Sequence, residues 1–160
     1  MTKYEKLLIE AENLGLKIRE VDFCTDEECG YYHNNKILIN SRLTDKQKYG
    51  VLAEELGHHY TTYGDISDQS KIENKKQELI ARRYGYKYLI EPNDIIEAVR
   101  DGSNTVYEIA EYLGITAKVL DEIIKDYKKQ YGIGVPVGNY YLQLEPNFGV
   151  LIDFGGLFKY

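Results

Sequence analysis

The stretch at positions 52–59, Leu-Ala-Glu-Glu-Leu-Gly-His-His, lies late in an expected helix and constrains this chain more than any other segment. Thr44 and Gln47 have the spacing of a capping box, which satisfies the orphan N–H groups of a helix start. Tyr49, Leu52, Ala53, Leu56 and Tyr60 then recur at helical spacing as one apolar stripe, the face such a helix must bury. At about 100° per residue, Glu54 and His58 fall together on roughly the opposite side, one turn apart, with Glu55 beside them. Their side chains can converge on one point.

That spacing is the geometry of a zinc-protease helix with one change. The pattern H-E-x-x-H places two imidazoles one turn apart and a glutamate base after the first; here Glu54 occupies the first position. A carboxylate is an accepted zinc ligand at about 2.0–2.2 Å, so the exchange keeps a donor and adds a negative charge. The same residues also read as a solvated helix pair contributing about 0.2–0.5 kcal/mol. Gly50 and Gly57 flank the ligand face, and each costs about 1 kcal/mol relative to alanine in a helix, which points to a close approach there. Glu78 sits on a second expected helix with Ala81, Arg82 and Gly85 at i+3, i+4 and i+7. If that helix presses against the first, Glu78 becomes a third ligand; by spacing alone the surface carboxylate is the favoured reading.

The run 52–58, followed by Gln77-Glu78-x-x-Ala81 and the helix exit Leu89-Ile90-Glu91-Pro92, resembles the ImmA/IrrE family of metallopeptidases. The hairpin-like segment at 30–40 before the helix is similar to the family's strand pair leading into its active-site helix, and the likeness covers about residues 15–92. The resemblance implies an α+β fold with a zincin-like peptidase core and a zinc-dependent endopeptidase. Its expected substrate is a helix-turn-helix transcriptional repressor, typically of a phage or mobile element. On that reading Glu54, His58 and Glu78 hold the metal and Glu55 is the catalytic base. Two carboxylate ligands cancel the charge of a divalent ion, so a weak Lewis acid and a slow peptidase are expected, accepting manganese beside zinc because carboxylates suit harder ions. The competing expectation is a protein of the same fold that grips a repressor or toxin partner without cutting it.

Bulk properties set the remaining bounds. A length of 160 residues with 43% hydrophobic residues suits one compact domain, or a core with a small appendage. The net charge of −6 gives no general attraction to nucleic acid or to an anionic membrane. No apolar run approaches the roughly 18 residues of a membrane span, and the amino terminus lacks a signal-peptide core, so a cytoplasmic location is expected. Cys24 and Cys29, beside Asp26, Glu27 and Glu28, fit neither a metal framework nor a redox motif and are expected as free thiols. Sixteen tyrosines and no tryptophan suit a surface for a protein partner, or half-buried packing.

The chain divides by pattern into a core at 1–92, a helical segment at 93–131 and a carboxy-terminal hairpin at 132–160, expected to pack as one unit. The core begins with an amphipathic helix at 2–14 stopped by Gly15, then a strand at 16–23. Strands at 31–33 and 36–40 flank Asn34-Asn35, a pair that tolerates positive φ and so signals a hairpin that can serve as a shelf for an extended substrate. The two site helices are joined by a polar loop at 61–70, and the second ends before Pro92. His59 lies about 100° round the helix from His58 and His33 sits at a turn, so neither is expected to bind metal. Short helices are expected around 94–100, 105–113 and 116–131, the last two resembling a helix-turn-helix with Gly114 at the turn. The would-be recognition helix carries Asp121, Glu122 and Asp126 and no arginine, so DNA contact is not expected and a packing or docking role is preferred. Strand-like runs at 140–144 and 149–154 form the final hairpin, to extend the first sheet or cap the cleft.

Overall fold

A computed structural model describes residues 1–152. The chain forms two compact units that divide between Leu89 and Ile90. The fold is α+β, with helices and a small sheet in each.

The first unit opens with α1 (Lys3–Asn13), started by a complete capping box between Thr2 and Glu5. Strands β1 (Lys17–Val21), β2 (Gly30–His33) and β3 (Lys36–Asn40) follow. They make a three-stranded sheet of order β1-β3-β2, in which β1 runs parallel and β2 antiparallel to β3. The central strand is the most buried, with Ile37 and Ile39 fully inaccessible, and β2 is left at an edge. Asn34 and Asn35 both take positive φ (48° and 61°), the conformation the hairpin turn requires.

The long helix α2 (Asp45–Thr61) starts at Thr44 with both halves of the capping box formed. Its stripe buries Tyr49, Leu52, Ala53 and Leu56 against α1, the sheet and α3 (Ile72–Leu89). Tyr60 departs from the expected stripe and stays 36% exposed. It packs sideways on His59 (ring centroids 4.7 Å apart) and on Tyr84 of α3 (5.4 Å), an aromatic row that continues to Tyr88. Lys48 is nearly buried, and its Nζ donates to Glu20 Oε2 of β1 at 2.6 Å while Tyr4 Oη donates to Glu20 Oε1 at 2.8 Å. Asn40, fully buried, donates through Nδ2 to the carbonyls of Thr25 and Glu28 and so shapes the loop that carries the exposed, free Cys24 and Cys29.

The second unit begins with α4 (Pro92–Arg100), whose first-turn proline is already set for helix. It continues through α5 (Val106–Leu113) and α6 (Ala117–Tyr131). Gly114 ends α5 in the left-handed region at φ 70°, and Thr116 caps α6 by accepting from Val119 N–H, the helix-turn-helix spacing expected from sequence. Ile109, Ile115, Leu120 and Ile123 are almost fully buried within this unit.

The carboxy-terminal strands form a sheet of their own, β4 (Gly134–Val137), β5 (Tyr140–Gln143) and β6 (Gly149–Ile152), antiparallel in that order. The expectation of one hairpin lacked β4, whose Pro136 argues against a strand interior. As an edge strand it accommodates a residue without an N–H to donate. Residues 153–154 of the expected last strand lie outside the described residues. No helix among the described residues is long and apolar enough to cross a membrane.

Candidate metal centre

The centre is built where α2 and α3 cross. Both Gly57 and Gly85 sit at the contact: a Cβ on Gly57 would lie 2.0 Å from the Ala81 carbonyl oxygen, and one on Gly85 would lie 2.6 Å from that of Ala53. Two backbones meet there with nothing larger than alanine between them, since Ala53 and Ala81 are themselves fully buried. The crossing brings Glu78 of α3 up to the Glu54–His58 face of α2. One ligand atom from each of Glu54, His58 and Glu78 lies within 4.8 Å of the other two.

His58 and Glu78 each have a partner that fixes direction or charge. The ring nitrogen Nδ1 of His58 lies 3.0 Å from Oγ1 of Thr62, the residue whose own N–H caps α2 by donating to the His58 carbonyl. In the tautomer that carries its proton on Nδ1, this N–H donates to Thr62 and leaves the Nε2 lone pair facing Glu78, whose Oε2 is 3.5 Å away. The other oxygen of Glu78 accepts from Arg82 Nη2 at 3.0 Å. Burial opposes the Arg82 charge, but the carboxylates of Glu54 and Glu78 outweigh it and hold the guanidinium more firmly protonated. One imidazole nitrogen and two carboxylate oxygens within such a radius fit a divalent cation that takes nitrogen and oxygen ligands, with room for a further ligand.

Glu55 points to the other side of the helix edge, beneath β2. A Cβ on Gly30 would come within 3.0 Å of its Oε1 and 2.4 Å of Val51 Cγ1, so glycine at that strand end is what lets the hairpin lie over the carboxylate. Burial, then the charges of Glu54 and Glu78, push its pKa up to about 8 in the metal-free chain. A cleft of about 730 Å³ has Glu55 and His58 in its lining, with residues 30–34 of the hairpin along one side and Thr62 and residues 64–67 along the other. Glu54 and Glu78 stand outside that lining, and His58 belongs to both the cleft and the ligand group.

Compared with models of known protein families, residues 11–125 match Peptidase_M78, the IrrE N-terminal-like domain. The chain belongs to this family of metallopeptidases. A search of curated proteins found no match. The family match begins inside α1 and ends inside α6, so it takes in both site helices, the hairpin and the loop between them.

Within this family member, the residues singled out in the sequence separate cleanly. Glu54, His58 and Glu78 come together, and Glu55 lies beside them in the cleft. His59 turns away, its Nδ1 at 2.9 Å from Tyr32 Oη and its ring edge-on to Tyr60. His33 is outside the ligand group but lines the cleft, its ring 6.3 Å from that of Tyr31. Of the tyrosines near the site elements, Tyr31 and Tyr32 line the cleft, whereas Tyr63 is 82% exposed. Sequence reasoning quoted Gln77 beside Glu78 but missed its role: it accepts the Tyr63 N–H at 2.8 Å and so ties the cleft's loop to the residue before Glu78. The same reasoning missed Thr62 and Arg82 as partners, although each stands at i+4 from the residue it contacts, the spacing that pairs side chains along a helix.

Proposed function

We propose that the chain is a metal-dependent endopeptidase in which Glu54, His58 and Glu78 hold one divalent ion, zinc before manganese, and Glu55 is the general base. The observation that carries this reading is the convergence of the three donors across the α2–α3 crossing, with Glu55 in the adjoining cleft. Bound there, the ion supplies Lewis-acid polarisation of a peptide carbonyl and makes a nearby water more acidic.

The chain's own groups do the rest. Glu55 takes a proton from water as the oxygen adds to the carbonyl carbon, and returns it to the nitrogen that leaves when the C–N bond breaks. Burial, the first of the causes that raise its pKa, persists when Glu54 and Glu78 act as ligands, whereas their two charges no longer act on it. The edge of β2 beside the cleft, which pairs with no further strand among the described residues, offers backbone N–H and C=O groups to an extended peptide, as one more strand. The family likeness supports a protein substrate, and we assign it as a helix-turn-helix repressor of a phage or mobile element.

The test is incubation of the zinc-loaded chain with a purified helix-turn-helix repressor, read by gel and mass spectrometry, beside a Glu55→Gln variant. Wild type is expected to cut at a defined bond and Glu55→Gln to lose cleavage while keeping its metal; cleavage that survived the exchange would remove Glu55 from the role of base. One observation favours a second reading, a member that binds its partner without cutting it: the acidic Glu54 in place of the first histidine. Tight binding of the intact repressor by both proteins would decide for it.

A further inference from the structure

Arg82 stands one turn beyond Glu78 on α3, and the contact between them divides the labour of one carboxylate. Glu78 Oε1 accepts from Arg82 Nη2 at 3.0 Å, while Oε2 is the atom that faces His58 Nε2 at 3.5 Å. With one oxygen fixed by a guanidinium, the other is presented to the centre alone. The Arg82 side chain is about half exposed (47%) and that of Glu78 is not (24%), so the pair is anchored at its inner end. Charge gives the contact a second consequence. Two carboxylate ligands neutralise a divalent ion in full, and a fixed guanidinium beside them returns one positive charge to the cluster, the charge that a set of two imidazoles and one carboxylate retains.

We propose that Arg82 is a positioning residue of the metal centre: it holds Glu78 so that one oxygen faces His58 and Glu54. This rests on the metal-site reading above. Groups that orient a metal ligand from behind alter metal affinity by about 10- to 100-fold when removed. A bare positive charge acts the other way, since its loss removes repulsion of the incoming cation and tightens binding. The sign of the change therefore separates the two.

The experiment is zinc affinity of the full chain by competition with a chelating dye, for wild type, Arg82→Gln and Arg82→Lys, with far-UV circular dichroism of each metal-free protein as the fold check. Arg82→Gln is expected to weaken zinc binding about 10- to 100-fold. Arg82→Lys, which can still donate one charged hydrogen bond to Oε1, is expected to fall between that and wild type. Wild-type zinc binding that is unchanged or tighter in Arg82→Gln would overturn the proposal and leave the metal site standing. If Arg82→Gln fails to fold, Arg82→Lys decides alone, an affinity equal to or tighter than wild type again overturning it. No zinc uptake by the wild type would overturn the metal site and the role of Arg82 with it.

Discussion

At position 54 a carboxylate stands where the H-E-x-x-H pattern has an imidazole, and the chemistry of the centre turns on that one exchange. Oxygen donors favour harder ions, so Glu54→His is expected to move selectivity towards zinc over manganese by on the order of tenfold, about 1.4 kcal/mol. Competition titrations with both metals measure this, and an unmoved ratio would show that position 54 does not touch the ion. A second residue-scale expectation concerns Glu20, whose pKa is lowered chiefly by the hydrogen bond from Lys48. A carboxyl lowered in the folded state contributes stability at neutral pH, and that contribution fades as the pH falls below the ordinary carboxylate range. Lys48→Met should therefore destabilise the chain in urea at pH 7, and the gap to wild type should narrow at pH 3; a gap independent of pH would mean that Lys48 acts through packing alone. The pairing of Glu54 with His58 was legible in sequence because helical spacing alone puts them one turn apart. Thr62 and Arg82 also stand at i+4, from His58 and Glu78, but spacing leaves open the rotamers that make those contacts.

At the scale of elements, the α2–α3 crossing is the device on which the centre depends. Alanine at position 57 or 85 would set a methyl against a backbone carbonyl, which no side-chain motion can relieve. Against a gain of about 1 kcal/mol in helix propensity, the helices must separate. Gly57→Ala and Gly85→Ala are each expected to cost a net of about 1–3 kcal/mol in urea unfolding and to weaken metal binding. Variants as stable as wild type would contradict the close contact. The glycine signal in the sequence pointed to a close approach at 57, and what approaches is the backbone of α3. The helix starts at Thr44 and Thr116 and the Asn34-Asn35 turn were legible because each is set by local chemistry. Strand β4 was not, although Gly138-Asn139 between β4 and β5 is itself a two-residue hairpin signal, with Gly138 at φ 57°. Pro136 tells against a strand interior, and only the tertiary fact that β4 is an edge removes that objection. Tyr60 left its stripe for the same kind of reason, since the aromatic row along α2 and α3 becomes visible only when both helices are in place.

For the whole molecule, the first unit contains every residue of the centre and its cleft, and the family match runs past it into α6. Membership of a metallopeptidase family suggests a metal, and the converged donor set is what supports the proposal that Glu54, His58 and Glu78 hold it. The most direct measurement is metal content per chain by elemental analysis of protein purified without added metal or chelator, beside Glu54→Ala and Glu78→Ala variants of confirmed fold. The account predicts close to one zinc or manganese per wild-type chain and a marked loss in both variants. A wild-type chain that carries no metal and takes up none when it is supplied would contradict it, as would full occupancy in both variants.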